Sequence, residues 1–272
     1  MNNVVTRAIS GGVFVAILIG AIVCCNQLFF AGVFLLLLVL GMREFYSLSR
    51  QVTGVDPLSS VAIASGASLF LASVIISNIL YGVSYLLLAA LLVVELFRKK
   101  EHPFMNMAFG MAGLVYVAFP FDCMALMWGH NQYLLLGFFI FIWVGDTGAY
   151  CAGRLFGKHK MFERVSPSKT WEGLIGGFIF VLISAFVFGK MLDEQNSELF
   201  YMLYAVVVFA AGMLGDLVES IIKRNLGIKD SGKFLPGHGG VLDRMDSALL
   251  AAPVAWAFIL IEEQVSFMIA SY

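Results

Sequence analysis

The sequence predicts an all-α, polytopic integral membrane protein, and three observations carry that prediction. Of its 272 residues, 60% are hydrophobic and only 13% are charged, with a mean hydropathy of +0.90. The apolar residues fall in repeated blocks close to the ~20 residues that carry a helix across a bilayer. No segment shows the alternating polarity of a transmembrane β-strand. Since no soluble-looking stretch is long enough to fold alone, residues 1–272 are expected to form one membrane-embedded unit. Helices within 1–103 read as scaffold, and 104–272 as the part that carries the site.

Nine apolar spans follow in order, roughly 8–25, 28–42, 58–80, 83–97, 104–128, 132–151, 173–191, 199–222 and 244–264. The first follows Arg7 and has no small-x-small cleavage pattern after it, so it is expected to be a retained helix. The second is short enough to tilt or re-enter. Gly and Pro inside spans are tolerated because neighbouring helices re-satisfy the freed backbone groups. Cys24, Cys25, Cys123 and Cys151 form no CxxC pair and read as small apolar residues.

The charges orient these spans. Loops assigned alternately to two sides place sixteen of the seventeen Lys and Arg on one side, in the N-terminus and in 43–57, 98–103, 152–172 and 223–244. The other side holds Lys190 with Asp193, Glu194, Glu198, Glu262 and Glu263. Cytoplasmic loops carry the excess of Lys and Arg, so the N-terminus is expected inside and the C-terminus outside. The net charge of −1 points to no polyanionic partner, and no nucleic acid is expected.

Topology accounts for basic loops but not for acids, glycines and a histidine mixed among them. Lys229 to Asp246 reads KDSGKFLPGHGGVLDRMD, with three acids, three bases, four glycines, a histidine and a proline in eighteen residues. Pro236 removes a backbone donor, and Gly237, Gly239 and Gly240 permit close approach to a ligand. A glycine-rich turn ahead of a helix suits an anion. With Lys223, Arg224, Lys229, Lys233, His238 and Arg244 around it, the stretch has the makings of a phosphate cradle. Asp243 and Asp246 are three apart and share a face once a helix has begun.

Just upstream, GDLVESIIKR places Asp216, Glu219 or Ser220, and Lys223 on one helix face. A carboxylate within a span costs about 2.5–3.5 kcal/mol unless partnered, so an Asp–Lys pair that only fixes packing is one reading and a functional site the other. Acids beside phosphate-binding bases would repel the substrate unless a cation lies between them. Hard oxygen ligands suit Mg²⁺, and Asp216, Asp243 and Asp246 are the candidates. A second cluster, WVGDTGAYCAGRLFGKHK with VSPSKTWEG, adds Asp146, Ser166, Ser168, Lys169 and Thr170. Gly148 and Gly153 have a simpler reading as close helix packing, and Ser168 or Thr170 as an N-cap. Asp122 has no assigned role. Together the residues supply what phosphoryl or nucleotidyl transfer requires.

These residues carry a family resemblance. Ser220, Lys223, Arg224, Lys229 and Asp230, then Pro236, His238, Gly239, Gly240, Asp243, Arg244 and Asp246, match the pattern S-x-x-K-R-x4-K-D followed by P-x-H-G-G-x-x-D-R-x-D of bacterial CDP-diacylglycerol synthases (phosphatidate cytidylyltransferases) without departure. GDTGAY through SPSKTWEG resembles that family's second cluster. The resemblance implies that phosphatidic acid and CTP give CDP-diacylglycerol and pyrophosphate in phospholipid biosynthesis, with Mg²⁺ as cofactor. It further implies a homodimer in the bacterial inner membrane, with a polar cavity open to the cytoplasm. On that reading Asp216, Asp243 and Asp246 hold the metal, and Lys223, Arg224, Lys229, His238 and Arg244 act on phosphates. Asp146, Ser166, Ser168, Lys169, Thr170, Ser220, Lys233, Gly239 and Gly240 bind substrate.

Two other classes fit less well. A CDP-alcohol phosphotransferase would carry D-x2-D-G-x2-A-R-x8-G-x3-D-x3-D, which is absent. A transporter places its polar site near the midplane, whereas these residues crowd one end of their spans. The charge separation makes a direct prediction. A cysteine introduced in 193–198 is expected to be labelled from outside intact cells and one in 158–164 is not. Equal labelling at both would overturn the nine-span layout.

Overall fold

The computed structural model describes residues 3–52, 54–193, 196–232 and 239–271, with residues 3–8 and 270 by backbone alone. Lys233 and His238 lie outside the described residues. The chain runs as helices α1 (Asn3–Val23), α2 (Gln27–Ser49), α3 (Ser59–Ile75), α4 (Asn78–Glu95), α5 (Pro103–Gly113), α6 (Phe119–His130) and α7 (Gln132–Phe156). Strands β1 (Lys160–Phe162) and β2 (Ser166–Thr170) follow, then α8 (Trp171–Met191), α9 (Glu198–Asn225) and α10 (Leu242–Ala270). Among the described residues, seven helical stretches could cross a membrane by length and composition, and α3 and the described part of α1 (Ile9–Val23) are shorter apolar segments.

Local chemistry sets the helix ends. Asn26 caps α2 by accepting from the N–H groups of Leu28 and Phe29 at 3.0 Å each, and Ser77 and Thr170 cap α4 and α8 in the same way. Pro103 opens α5, where its missing donor is not needed. Pro120 sits inside the expected fifth span. It cannot donate to the carbonyl of Tyr116, and the chain answers with a π turn over Leu114–Ala118 that joins α5 to α6 without a break.

The segment 152–172, expected only as a loop, contains a short antiparallel hairpin pairing Lys160 with Thr170 and Phe162 with Ser166. Pro167 holds Ser166 extended. At its base the Trp171 N–H donates to the His159 carbonyl at 3.0 Å. Glu172 accepts from the Lys158 N–H at 3.1 Å and contacts His159 Nδ1 at 2.6 Å.

Two compact units make up the chain, residues 1–129 with 225–245 and residues 130–224 with 246–272. In the first, Phe30 stacks on Trp128 with ring centroids 4.3 Å apart, and the Trp128 indole donates to the Ile22 carbonyl at 3.1 Å. Helices α3 and α4 are joined by reciprocal hydroxyl-to-carbonyl bonds between Ser65 and Ser84, at 3.0 and 2.9 Å. The buried Asp122 accepts from the Ser73 hydroxyl, which is 2.8 Å from Tyr81. Outside the spans, Asp56 lies 2.9 Å from both Arg98 and Lys100 and 3.5 Å from Arg50.

In the second unit, α7 and α8 approach closely along a row of glycines. A Cβ at Gly148 would come within 2.9 Å of Phe180 Cβ, and one at Gly177 within 2.8 Å of the Gly145 carbonyl. The packing reading of Gly148 therefore holds. At the other end of the unit, the buried Asp193 accepts from Tyr201, Asn131 and Asn196.

Two predictions follow from this packing. A Cβ at Gly113 would overlap the Tyr46 phenol, whose hydroxyl donates to the Gly110 carbonyl at 2.9 Å. Gly113→Ala is expected to destabilise the protein by about 1–3 kcal/mol, read as a lower melting temperature in detergent; an unchanged midpoint would mean that Tyr46 moves aside freely. The hydrogen bond from Lys100, helped by the charges of Arg98 and Arg50, holds the Asp56 carboxyl below the usual aspartate value of 3.8. A depressed folded-state pKa stabilises above the unfolded value, and that contribution is lost as pH falls through the folded one. Asp56→Asn should thus lower the melting temperature at pH 7 and converge on wild type below that value. A gap persisting at lower pH would rule out the ionic origin.

Candidate active site

The second unit contains a cavity of about 410 Å³ with a mixed lining. Asp146, Lys169, Asp216, Arg154, Ser168 and Thr170 are among its polar residues, and Ile142, Leu174, Val208, Phe209 and Met213 among its apolar ones. Thr170, Lys169 and Asp216 are placed by local contacts. Thr170 caps α8 by accepting from the Gly173 N–H at 3.1 Å, so its hydroxyl is engaged with the backbone. Lys169 ends the hairpin and turns its ammonium to Asp216 Oδ2 at 2.8 Å and to the Met213 carbonyl at 3.4 Å.

Along α9, side chains four apart form two pairs. The Ser220 hydroxyl donates to Asp216 Oδ1 at 3.3 Å, and Lys223 meets the buried Glu219 at 3.0 Å. The face anticipated from GDLVESIIKR is thus resolved into an oxygen pair and an ion pair. Gly215 brings the helices together, since a Cβ there would come within 2.7 Å of the Asp246 carbonyl. Asp246, Asp216 and Asp146 lie within electrostatic reach of one another, with Lys169 acting on Asp146 and Lys223 on Asp246. Three carboxylates and two ammonium groups therefore share one region of this unit.

Asp243 belongs to the first unit and is engaged there. Its Oδ2 accepts from the Ser231 N–H at 2.7 Å, the Ser231 hydroxyl at 3.0 Å and the Gly240 N–H at 2.8 Å. Gly239 has φ +80, and a Cβ on it would overlap the Asp243 carboxylate. Gly232, Gly239 and Gly240 therefore make room for the protein's own acids, where the sequence suggested room for a ligand. Arg224, Lys229, Arg244 and Ser168 are exposed, and Ser166 is half-buried. Among the described residues, no group of three or more His, Cys, Asp or Glu is already gathered around a metal position.

Sequence reasoning missed Glu44. It follows Arg43 toward the end of α2, outside every polar motif, yet its carboxylate receives the N–H groups of Val241 and Leu242 at 2.9 and 3.0 Å. With 43–57 read as a basic loop the sequence offered no signal for it; only the extension of α2 to Ser49 makes an unpartnered acid there costly. Ser231 and Glu172 were also passed over, because each works through backbone contacts that the sequence does not display.

Known proteins resemble this chain. It is 48% identical to a phosphatidate cytidylyltransferase of Haemophilus influenzae over 129 residues, which are 46% of this chain and 44% of the relative. Proteins of the same name from Staphylococcus saprophyticus and Staphylococcus aureus are 40% and 38% identical over 156 residues, 57% of this chain and 60% of theirs. The matches thus span about half of these relatives' lengths. The model of the cytidylyltransferase family matches residues 5–261 and takes in the hairpin, the cavity and the whole Lys229–Asp246 stretch, so this chain belongs to the cytidylyltransferase family.

Proposed function

We propose that the protein is a phosphatidate cytidylyltransferase, converting phosphatidic acid and CTP to CDP-diacylglycerol and pyrophosphate. The observation that carries this reading is the mixed lining of the cavity. Its apolar residues suit a lipid, while Lys169 and Arg154 suit phosphate and Asp146 and Asp216 a cation. A phosphate oxygen of phosphatidic acid attacks the α-phosphorus of CTP, the bond from that phosphorus to the β-phosphate oxygen breaks, and pyrophosphate carries away the electron pair. No covalent enzyme intermediate is needed. Catalysis then rests on positioning and charge stabilisation.

The residues fit a Mg²⁺ requirement in donor type. Asp216 and Asp246 offer hard carboxylate oxygens and Ser220 a hydroxyl on Asp216, a set that substrate phosphates and water would complete. When bound, the ion would neutralise phosphate charge. Asp243, on the first turn of α10, is assigned to this role on the resemblance alone. Lys169 and Lys223, held by Asp216 and Glu219, are poised for phosphate oxygens, and Arg224, Lys229 and Arg244 are exposed to receive a soluble nucleotide. Lys233 and His238 join them on the resemblance alone, as does Asp146 with Ser166 and Ser168 on the nucleotide side. A homodimer in the bacterial inner membrane, with the N-terminus and the site on the cytoplasmic side, completes the proposal.

CTP-dependent pyrophosphate release in phosphatidate micelles tests it. Asp216→Asn and Asp246→Asn are each expected to lower turnover about 10²-fold. The double variant should be little worse than either, because groups acting as a unit are not additive. Lys223→Arg should keep part of the rate and Lys223→Met almost none. Wild-type rates at wild-type Mg²⁺ demand in the Asn variants would remove the carboxylates from the mechanism. No CTP-dependent pyrophosphate release from the unaltered protein would reject the function itself.

A further inference from the structure

We propose that Glu44 is a positioning residue of the reaction, a clasp on α2 that fixes where Asp243 and Arg244 stand. The inference rests on the proposed role of those two residues. Glu44 Oε1 accepts from the Val241 N–H at 2.9 Å, and Oε2 accepts from the Leu242 N–H at 3.0 Å and the Ser231 hydroxyl at 3.2 Å. These partners lie 187 to 198 residues away in sequence. Val241 and Leu242 are the entry to α10, where backbone donors have no partner within the helix and a carboxylate is favoured. Ser231 lies at the far end of the polar stretch. One side chain therefore binds Ser231 together with the two residues that lead into Asp243 and Arg244.

The surrounding sequence is cut to fit this carboxylate. A Cβ at Gly232 would come within 2.6 Å of Glu44 Oε1, and a Cβ at Gly240 would overlap Oε2. One turn back on α2, a Cβ at Gly41 would meet Val117 at 3.3 Å and Leu242 at 3.6 Å, so α2 is held tightly against the start of α10. From the other side Asp243 takes Ser231 and Gly240. Asp243 is thus held by the same Ser231 and the same backbone turn that Glu44 grips. Both Glu44 oxygens act as acceptors, so an amide, which offers one acceptor and one donor, cannot replace the carboxylate.

The test compares Glu44→Asp, Glu44→Gln and Glu44→Ala in the full-length protein in phosphatidate micelles, with kcat, KM for CTP and the melting temperature read together. A displacement of about 1 Å at reacting groups costs about 10²-fold. Glu44→Gln and Glu44→Ala are expected to lower kcat about 10- to 100-fold with KM within about threefold, and Glu44→Asp, which keeps two acceptors, should lie between them and wild type. A purely structural Glu44 would shift the melting temperature and leave kcat of the folded protein unchanged, and that result would overturn the inference. Gly240→Ala covers the case in which Glu44→Ala fails to fold. Its added methyl should lower kcat by pushing Glu44 aside, and shortening the acid in the Gly240→Ala, Glu44→Asp double variant should recover part of that loss. Absence of recovery overturns the clasp. Asp243→Asn separates the two levels: wild-type activity there defeats the proposed role of Asp243, whereas an inactive Asp243→Asn beside fully active Glu44 variants defeats this inference alone.

Discussion

An acid carried on an apolar helix must find its partner within the protein, because the bilayer core offers no water to solvate it. Much of the functional region follows from that constraint. Asp216 is met by Lys169 and Ser220, Glu219 by Lys223, Glu44 by the entry of α10, and Asp122 by Ser73. Each pairing ties a charged or polar group to a defined neighbour. The same contacts that make the acids tolerable also fix the geometry of the region proposed for catalysis.

Close backbone approach is the second requirement. Lipid tails are as apolar as the side chains they contact, so helix association gains from small residues that let backbones meet. Gly148 and Gly177 do this between α7 and α8, and Gly215 does it beside Asp246. Gly232, Gly239 and Gly240 serve another purpose, since each leaves space for a carboxylate oxygen of Glu44 or Asp243. A glycine-rich stretch that looks made for a ligand is here shaped first around the protein's own acids. The proposed phosphate chemistry is built on that prearranged turn.

Ion pairs shielded from water are weak devices for stability alone, because desolvation offsets much of the attraction. The half-buried Lys169–Asp216 pair lies in the lining of a cavity that also has apolar residues, which suits the proposed use. On the proposed function, Lys169 and Asp216 are complementary in charge to a phosphate and a divalent cation respectively, and each would hold the other until such partners compete. The positioning role of Glu44 belongs to the same logic, with backbone N–H groups in place of an ammonium.

The helical membrane class, the family and most of the polar clusters were legible in the sequence, because hydropathy, charge asymmetry and motif spacing are properties of short stretches. Helix spacing put Asp216 on a face with Glu219 or Ser220, and Ser220 is the one that bonds it; of the two caps the sequence offered, Ser168 or Thr170, it is Thr170 that caps α8. The π turn at Leu114–Ala118 and the hairpin at Lys160–Thr170 were not foreseen, though Pro120 and Pro167 marked both places. Glu44 and Ser231 were invisible, since their partners are reached only when segments nearly 200 residues apart are brought together. The sequence by itself determined which residues are polar within an apolar chain and how they repeat along each helix. Only the tertiary structure decided which acid meets which donor, because a hydrogen bond depends on a separation of about 3 Å in space, and distance along the chain says little about that.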